Sequence, residues 1–130
     1  MIIWRSDFEV GVSDIDSQHK GLVDLINKIE EARDSKGQEI DINSIVDQLI
    51  QYTHVHFASE KEHMAKNHYP QLDEHKQQHK VLVRQIIKIQ SDIKNKNQNI
   101  IDSIDTILRN WLIDHILEQD RKYGTFLSSH

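Results

Sequence analysis

The chain has 130 residues, a formal net charge of -5 and no cysteine. That length predicts a single domain over 1–130 that needs no crosslink to fold, and the missing thiols exclude disulfide frameworks, thiolate zinc sites, iron–sulfur clusters and cysteine nucleophiles together. The acidic balance argues against a nucleic-acid partner, which needs a basic face, and no stretch reaches the ~18 apolar residues of a membrane span.

The N-terminus, Met1-Ile2-Ile3-Trp4-Arg5, lacks the basic-then-apolar pattern of a secretory leader, so the expected location is cytoplasmic. Residues 1–16 carry scattered apolar side chains without a helical period and read as an extended arm packed outside the core. Asp16 or Ser17 is positioned to cap a first helix from about Gln18 to Ala32. Leu22, Ile26 and Ile29 form its stripe, and His19 lies on it. Asp34-Ser35-Lys36-Gly37 carries turn chemistry. A second helix, about Ile42 to Ala65, places Ile42, Ile45, Leu49, His56 and Glu60 within about 40° of one another at ~100° per residue. Pro70 follows, and the residue before a proline is held out of helical geometry. The third helix, about Leu72 to Lys94, carries His75, His79, Leu82, Ile86, Ile89 and Ile93 on one stripe. After the loop 95–99, a fourth from about Ile100 to Tyr123 carries Ile101, Ile104, Leu108, Trp111 and His115, with Gly124 as the expected C-cap. Four amphipathic helices with short connections predict an all-α, up-down-up-down antiparallel four-helix bundle.

Nine histidines are present, and position makes them informative. Each predicted helix has at least one on the stripe otherwise held by isoleucine and leucine. One buried imidazole is ordinary. Five in one core leave many donors and acceptors to satisfy, each costing on the order of 1–3 kcal/mol if unmade, and metal ions satisfy the nitrogens collectively. In an antiparallel bundle His19, His56, Glu60, His75, His79 and His115 all collect at one end. His75-x-x-x-His79 sets two imidazoles one turn apart, and His56-x-x-x-Glu60 does the same with a nitrogen and a carboxylate. Imidazole with carboxylate and no sulfur suits iron, manganese or zinc. Six ligands are too many for one tetrahedral ion, so two metals sharing carboxylates is the economical arrangement.

Asp120 lies five residues after His115, about 140° off the stripe, where Gln119 would face inward instead. Spacing leaves two readings open: a last turn distorted by a π-bulge, or Asp120 as surface charge beside Arg121 and Lys122. Glu60-x-x-His63 has the spacing of ferritin-like di-iron motifs, but no second copy exists, so His63 reads as a bystander. His54, His68 and His130 fall off the stripe or in loops.

The segments "VGVSDIDSQHKGLVDLIN", "YTHVHFASE", "HKQQHK" and "WLIDHILEQDRKYG" resemble the hemerythrins, the bacterial ones above all, from Trp4 to about Gly124. The resemblance implies two iron ions, Fe2+ or Fe3+, joined by an oxo or hydroxo bridge. It implies His75, His79 and His115 on one iron and His19 and His56 on the other. Glu60 and Asp120 bridge them, which sides with the distorted turn. One coordination position is left open, on the iron with two histidines, for dioxygen. Trp111 and Leu112, a turn before His115, resemble the family's apolar wall over that position. An apolar wall without an acid favours binding over O–O cleavage, because nothing delivers a proton to the departing oxygen. The expected function is reversible dioxygen binding in transport, storage or sensing, not an enzyme. The competing readings are a di-iron oxidase, peroxidase or nitric-oxide-handling enzyme, and an iron-storage or metal-binding module. The oligomeric state is not set by the sequence; a monomer is compatible with it.

Overall fold

In the computed structural model the apolar stripes become the inner faces of an all-helical bundle. The structure describes residues 2–34 and 39–128, apart from the side chains of residues 7, 39–41 and 115. Ser35, Lys36 and Gly37 of the expected loop, and His130, lie outside the described residues. Three helices are continuous: α1 (Ser13–Asp34), α2 (Glu39–Lys66) and α3 (Leu72–Lys94). The fourth arm is composite, with α4 (Gln98–Asp102), α5 (Ile104–Asn110), a π-helical segment (Trp111–Leu117) and α6 (Glu118–Ser128). No strand occurs among the described residues. None of their helices is long and apolar enough to cross a membrane.

Contacts between arms show that neighbours run antiparallel. Asp120 meets His19 near the start of α1, while Asp105 meets Arg33 at its end at 2.6 Å. Glu60 meets His75 and His79 early in α3, whereas Asp47 meets Gln90 late in it. Trp111 Nε1 donates to the Leu82 carbonyl at 3.0 Å, tying the π segment to α3.

The arm is present as expected, with Ile2, Phe8 and Val10 buried and a single 3-10 turn at Ser6–Phe8. The Asn27 side chain holds Ile2 from both sides, accepting from its N–H at 2.8 Å and donating to its carbonyl at 2.9 Å. α1 begins at Ser13, earlier than expected, because Asp16 does not cap it. The Asp16 carboxylate instead accepts from the backbone N–H of Val10 at 2.8 Å and Gly11 at 3.3 Å. Gly11 turns the arm with φ +88°, a conformation that costs glycine little.

α3 has the bounds predicted from its periodicity. α2 ends at Lys66. His68 then takes a left-handed φ of 56°, and Tyr69 N–H bonds back to the Met64 carbonyl at 3.0 Å, the pattern that satisfies terminal carbonyls. The fourth arm departs most from expectation. Gly124 is no C-cap: α6 continues through it to Ser128. A Cβ there would stand 2.4 Å from the Val10 carbonyl oxygen, so this glycine lets α6 lie directly on the arm.

Two apolar clusters fill the interior. The larger holds Leu22, Ile26, Val46, Leu49, Phe57, Leu82, Ile86, Leu108 and Leu112 among others. The smaller holds Val10, Ile15, Met64, Tyr69 and Tyr123. His19 on α1, Glu60 on α2 and Asp120 on α6 fall between the two. The polar layer is therefore sandwiched in apolar packing, with a second small core beyond it.

Candidate metal centre

α1 brings His19 inward, α2 His56 and Glu60, α3 His75 and His79, and α6 Asp120. Each sits one turn from an apolar core residue of its own helix, so the packing that buries the stripe buries the ligands with it. His19, His56 and Glu60 are fully buried, Asp120 is 1% exposed and His75 4%. Charges at that depth persist only when paired.

The pairing follows a definite pattern. Glu60 turns Oε1 toward Nε2 of His75 at 2.5 Å and of His79 at 3.0 Å, and Oε2 toward Nε2 of His56 at 3.0 Å. Asp120 turns Oδ1 toward His75 at 3.1 Å, and Oδ2 toward His19 at 2.6 Å and His56 at 3.5 Å. Each carboxylate thus divides its oxygens between two histidine pairs. Two groups result, His19, His56, Glu60 and Asp120, and Glu60, His75, His79 and Asp120, with the ligand atoms of each within 4.8 Å of one another. Donors sharing one ion at ~2.0–2.2 Å span little less than that.

The donors fit cations better than they fit one another. His56 Nε2 and Glu60 Oε2 are buried without a hydrogen bond of proper geometry, although they face each other, and His19 Nδ1 also lacks one. Burial works against a charged imidazole at His56 and His75. The close approach and negative charge of Asp120 and Glu60 outweigh it and raise each to about 9. Burial likewise pushes Glu60 and Asp120 up, and the charge of Asp120 raises Glu60 further. The histidine hydrogen bonds win in both cases, holding Glu60 below and Asp120 well below the usual carboxylate range.

The π segment decides the Asp120 question in favour of the inward orientation. A π-helix bonds i→i+5 and so takes more residues per turn than an α-helix. The distortion over Trp111–Leu117 shifts the residues after it and brings position 120 to the inner face, where Asp120 is 1% exposed. Gln119 is half-buried instead. Position 115 lies within the π segment, and its side chain is outside the described residues. Trp111 and Leu112 are 3% and 0% exposed and belong to the larger core.

Gln18 was missed by the sequence reading. Its Oε1 accepts from His56 Nδ1 at 2.6 Å, and its Nε2 donates to Ser59 Oγ at 3.2 Å. A hydrogen on Nδ1 leaves the Nε2 lone pair of His56 for a metal, the usual task of a partner behind a ligating histidine. The only signal for it was adjacency to His19. Phe57 stacks on His79, with centroids 3.7 Å apart and planes 3° from parallel. His63 belongs to neither group. Its Nδ1 meets the hydroxyl of the buried Tyr123, which also donates to the His63 carbonyl at 3.1 Å. His54 and His68 are exposed, as expected.

Comparison with known proteins agrees with this geometry. The model of the hemerythrin HHE cation binding domain matches residues 10–127. A bacteriohemerythrin of Methylococcus capsulatus is 30% identical over 99% of this chain and 98% of its own length. One from Stenotrophomonas maltophilia is 28% identical over the whole chain and 84% of its own length. A crystal structure of wild-type hemerythrin superposes with a TM-score of 0.80 at 30% identity, covering 96% of both chains. A buried layer of histidines around two shared carboxylates, on a helical bundle matched along nearly its whole length, makes this chain a member of the hemerythrin family with a hemerythrin-type metal-binding domain.

Proposed function

We propose that this chain binds dioxygen reversibly at a di-iron centre, as a carrier, store or sensor and not as an enzyme. His75 and His79, with His115 as the family resemblance implies, would hold one iron and His19 and His56 the other, with Glu60 and Asp120 shared between the two. The observation that carries this reading is the division of each carboxylate between two histidine pairs. A single-ion site has no use for that arrangement. Iron, when bound, supplies the electrons that dioxygen takes up and returns.

The chain's own residues supply the rest. Glu60 and Asp120 stay ionised and carry no proton to give. Gln18 holds His56 in its orientation. Trp111 and Leu112, buried with Leu82 and Ile116, keep water from the polar layer, and a dry site retards the protonation that converts bound oxygen to peroxide.

The test is an optical spectrum of anaerobically prepared ferrous protein, taken before air, in air and after argon purging. Two irons per chain and an absorbance that appears in air and disappears under argon are expected. Iron at one per chain, or a spectral change that argon does not reverse, overturns the reading. The irreversible case points to a redox enzyme on the same scaffold.

A further inference from the structure

Outside the metal layer, α2 and α3 enclose an open groove of about 840 Å3, within the range of small-molecule sites. Its two sides differ from the rest of an acidic surface. Lys76, Lys80 and Arg84 follow one another at four-residue intervals along α3, and Lys61 and, two turns before it, His54 line the groove from α2. Like charges at that spacing repel. The sequence relieves such repulsion elsewhere on the same helix, where Lys88 pairs with Asp92 at 3.4 Å. Here Asp73, 3.9 Å from Lys76, is the only carboxylate pairing with these cations among the described residues. Apolar residues also line the groove, Ala58, Val83 and the rim of Phe57, which is 6% exposed and stacks on His79.

Cations beside apolar, partly aromatic walls suit a flat ring that carries a phosphate. Simple solvation accounts for exposed lysines on a convex face, but it does not account for four cations and one carboxylate lining a single concavity that also has apolar walls. We propose that the α2–α3 groove is a binding site for a nucleotide-class anion, its ring on the Phe57–Val83 wall and its phosphate among Lys61, Lys80 and Arg84. A redox-active ring held there would lie against His79. That consequence rests on the di-iron reading, whereas the binding itself does not.

Flavin mononucleotide serves as the probe, titrated into the iron-loaded full chain and followed by fluorescence anisotropy and equilibrium dialysis. Saturable binding is expected, with riboflavin at least about tenfold weaker for want of its phosphate, the equivalent of about 1.4 kcal/mol. The double variant Lys80→Glu/Arg84→Glu should weaken binding by about tenfold or more, while Lys88→Glu/Lys94→Glu, with the same charge change on the same helix, should not. Lys61→Glu gives an independent check from α2, and the iron content of each variant reports its folding. No saturable binding, or equal loss in both double variants, overturns the site. Riboflavin binding as tightly as the phosphate form overturns the role of the cations. Inorganic phosphate displacing the flavin at equal concentration overturns the role of the apolar wall.

Discussion

His56 and His75 each face both Glu60 and Asp120. Both are raised to about 9 by Glu60 and Asp120, so both are protonated near neutral pH when no ion is present. A metal takes up only the neutral nitrogen, so loading must expel those protons. Since the folded values lie above the ordinary imidazole value of ~6.5, this pair's contribution to metal-free stability is full below that value. It is lost as pH rises through about 9. Calorimetric loading of the metal-free chain with zinc, a redox-inert ion, in buffers of different ionisation heat should at pH 7.5 release about two protons from this pair. The release should vanish above about pH 10, and the metal-free midpoint of thermal unfolding should fall over the same interval. No buffer dependence at pH 7.5 would show that the imidazoles are neutral beforehand.

Among the elements, the π segment has the largest consequence. A regular helix from 104 to 128 would present Gln119 to the interior and leave Asp120 on the surface, because five residues at ~100° overshoot one turn by ~140°. Widening the turn over Trp111–Leu117 exchanges the two, at the expense of the poorer hydrogen-bond geometry that keeps π-helices rare. Asp120→Ala should therefore empty or strongly deplete the centre, whereas Gln119→Ala, at a half-buried position in neither group of candidate ligands, should leave its metal content close to that of the parent. Metal analysis after dialysis reads both. Depletion by the Gln119 change alone would mean that α6 enters the site in regular register.

At the scale of the whole molecule, the metal layer is closed off on both sides, by the Leu/Ile core and by the smaller cluster around Tyr69 and Tyr123. Leu112 is fully buried in the larger one. Replacing it with asparagine places an amide in apolar surroundings and should lower stability by about 1–3 kcal/mol. The same change should bring water and a donor toward the polar layer while leaving the iron in place. The oxygenated absorbance of Leu112→Asn should then decay faster in air at fixed pH. An unchanged decay rate with iron still bound would make Leu112 packing alone and locate the wall elsewhere.

Helix existence, the bounds of α3 and the gathering of His19, His56, His75 and His79 at one depth were legible in the sequence, because a 3.6-residue period is local and short connections make successive helices antiparallel. The paired spacings His75-x-x-x-His79 and His56-x-x-x-Glu60 were legible for the same reason. Asp120 was not legible in spacing and came only from the family resemblance, since a π turn is stabilised by what the distorted segment packs against and leaves no periodic trace. Gln18, the seating of α6 on Val10 at Gly124, and the convergence of Lys61 with Lys80 and Arg84 each require two distant segments to meet. Only the tertiary structure decided them, because a side chain's partner across the bundle depends on helix placement, and no single helix encodes that.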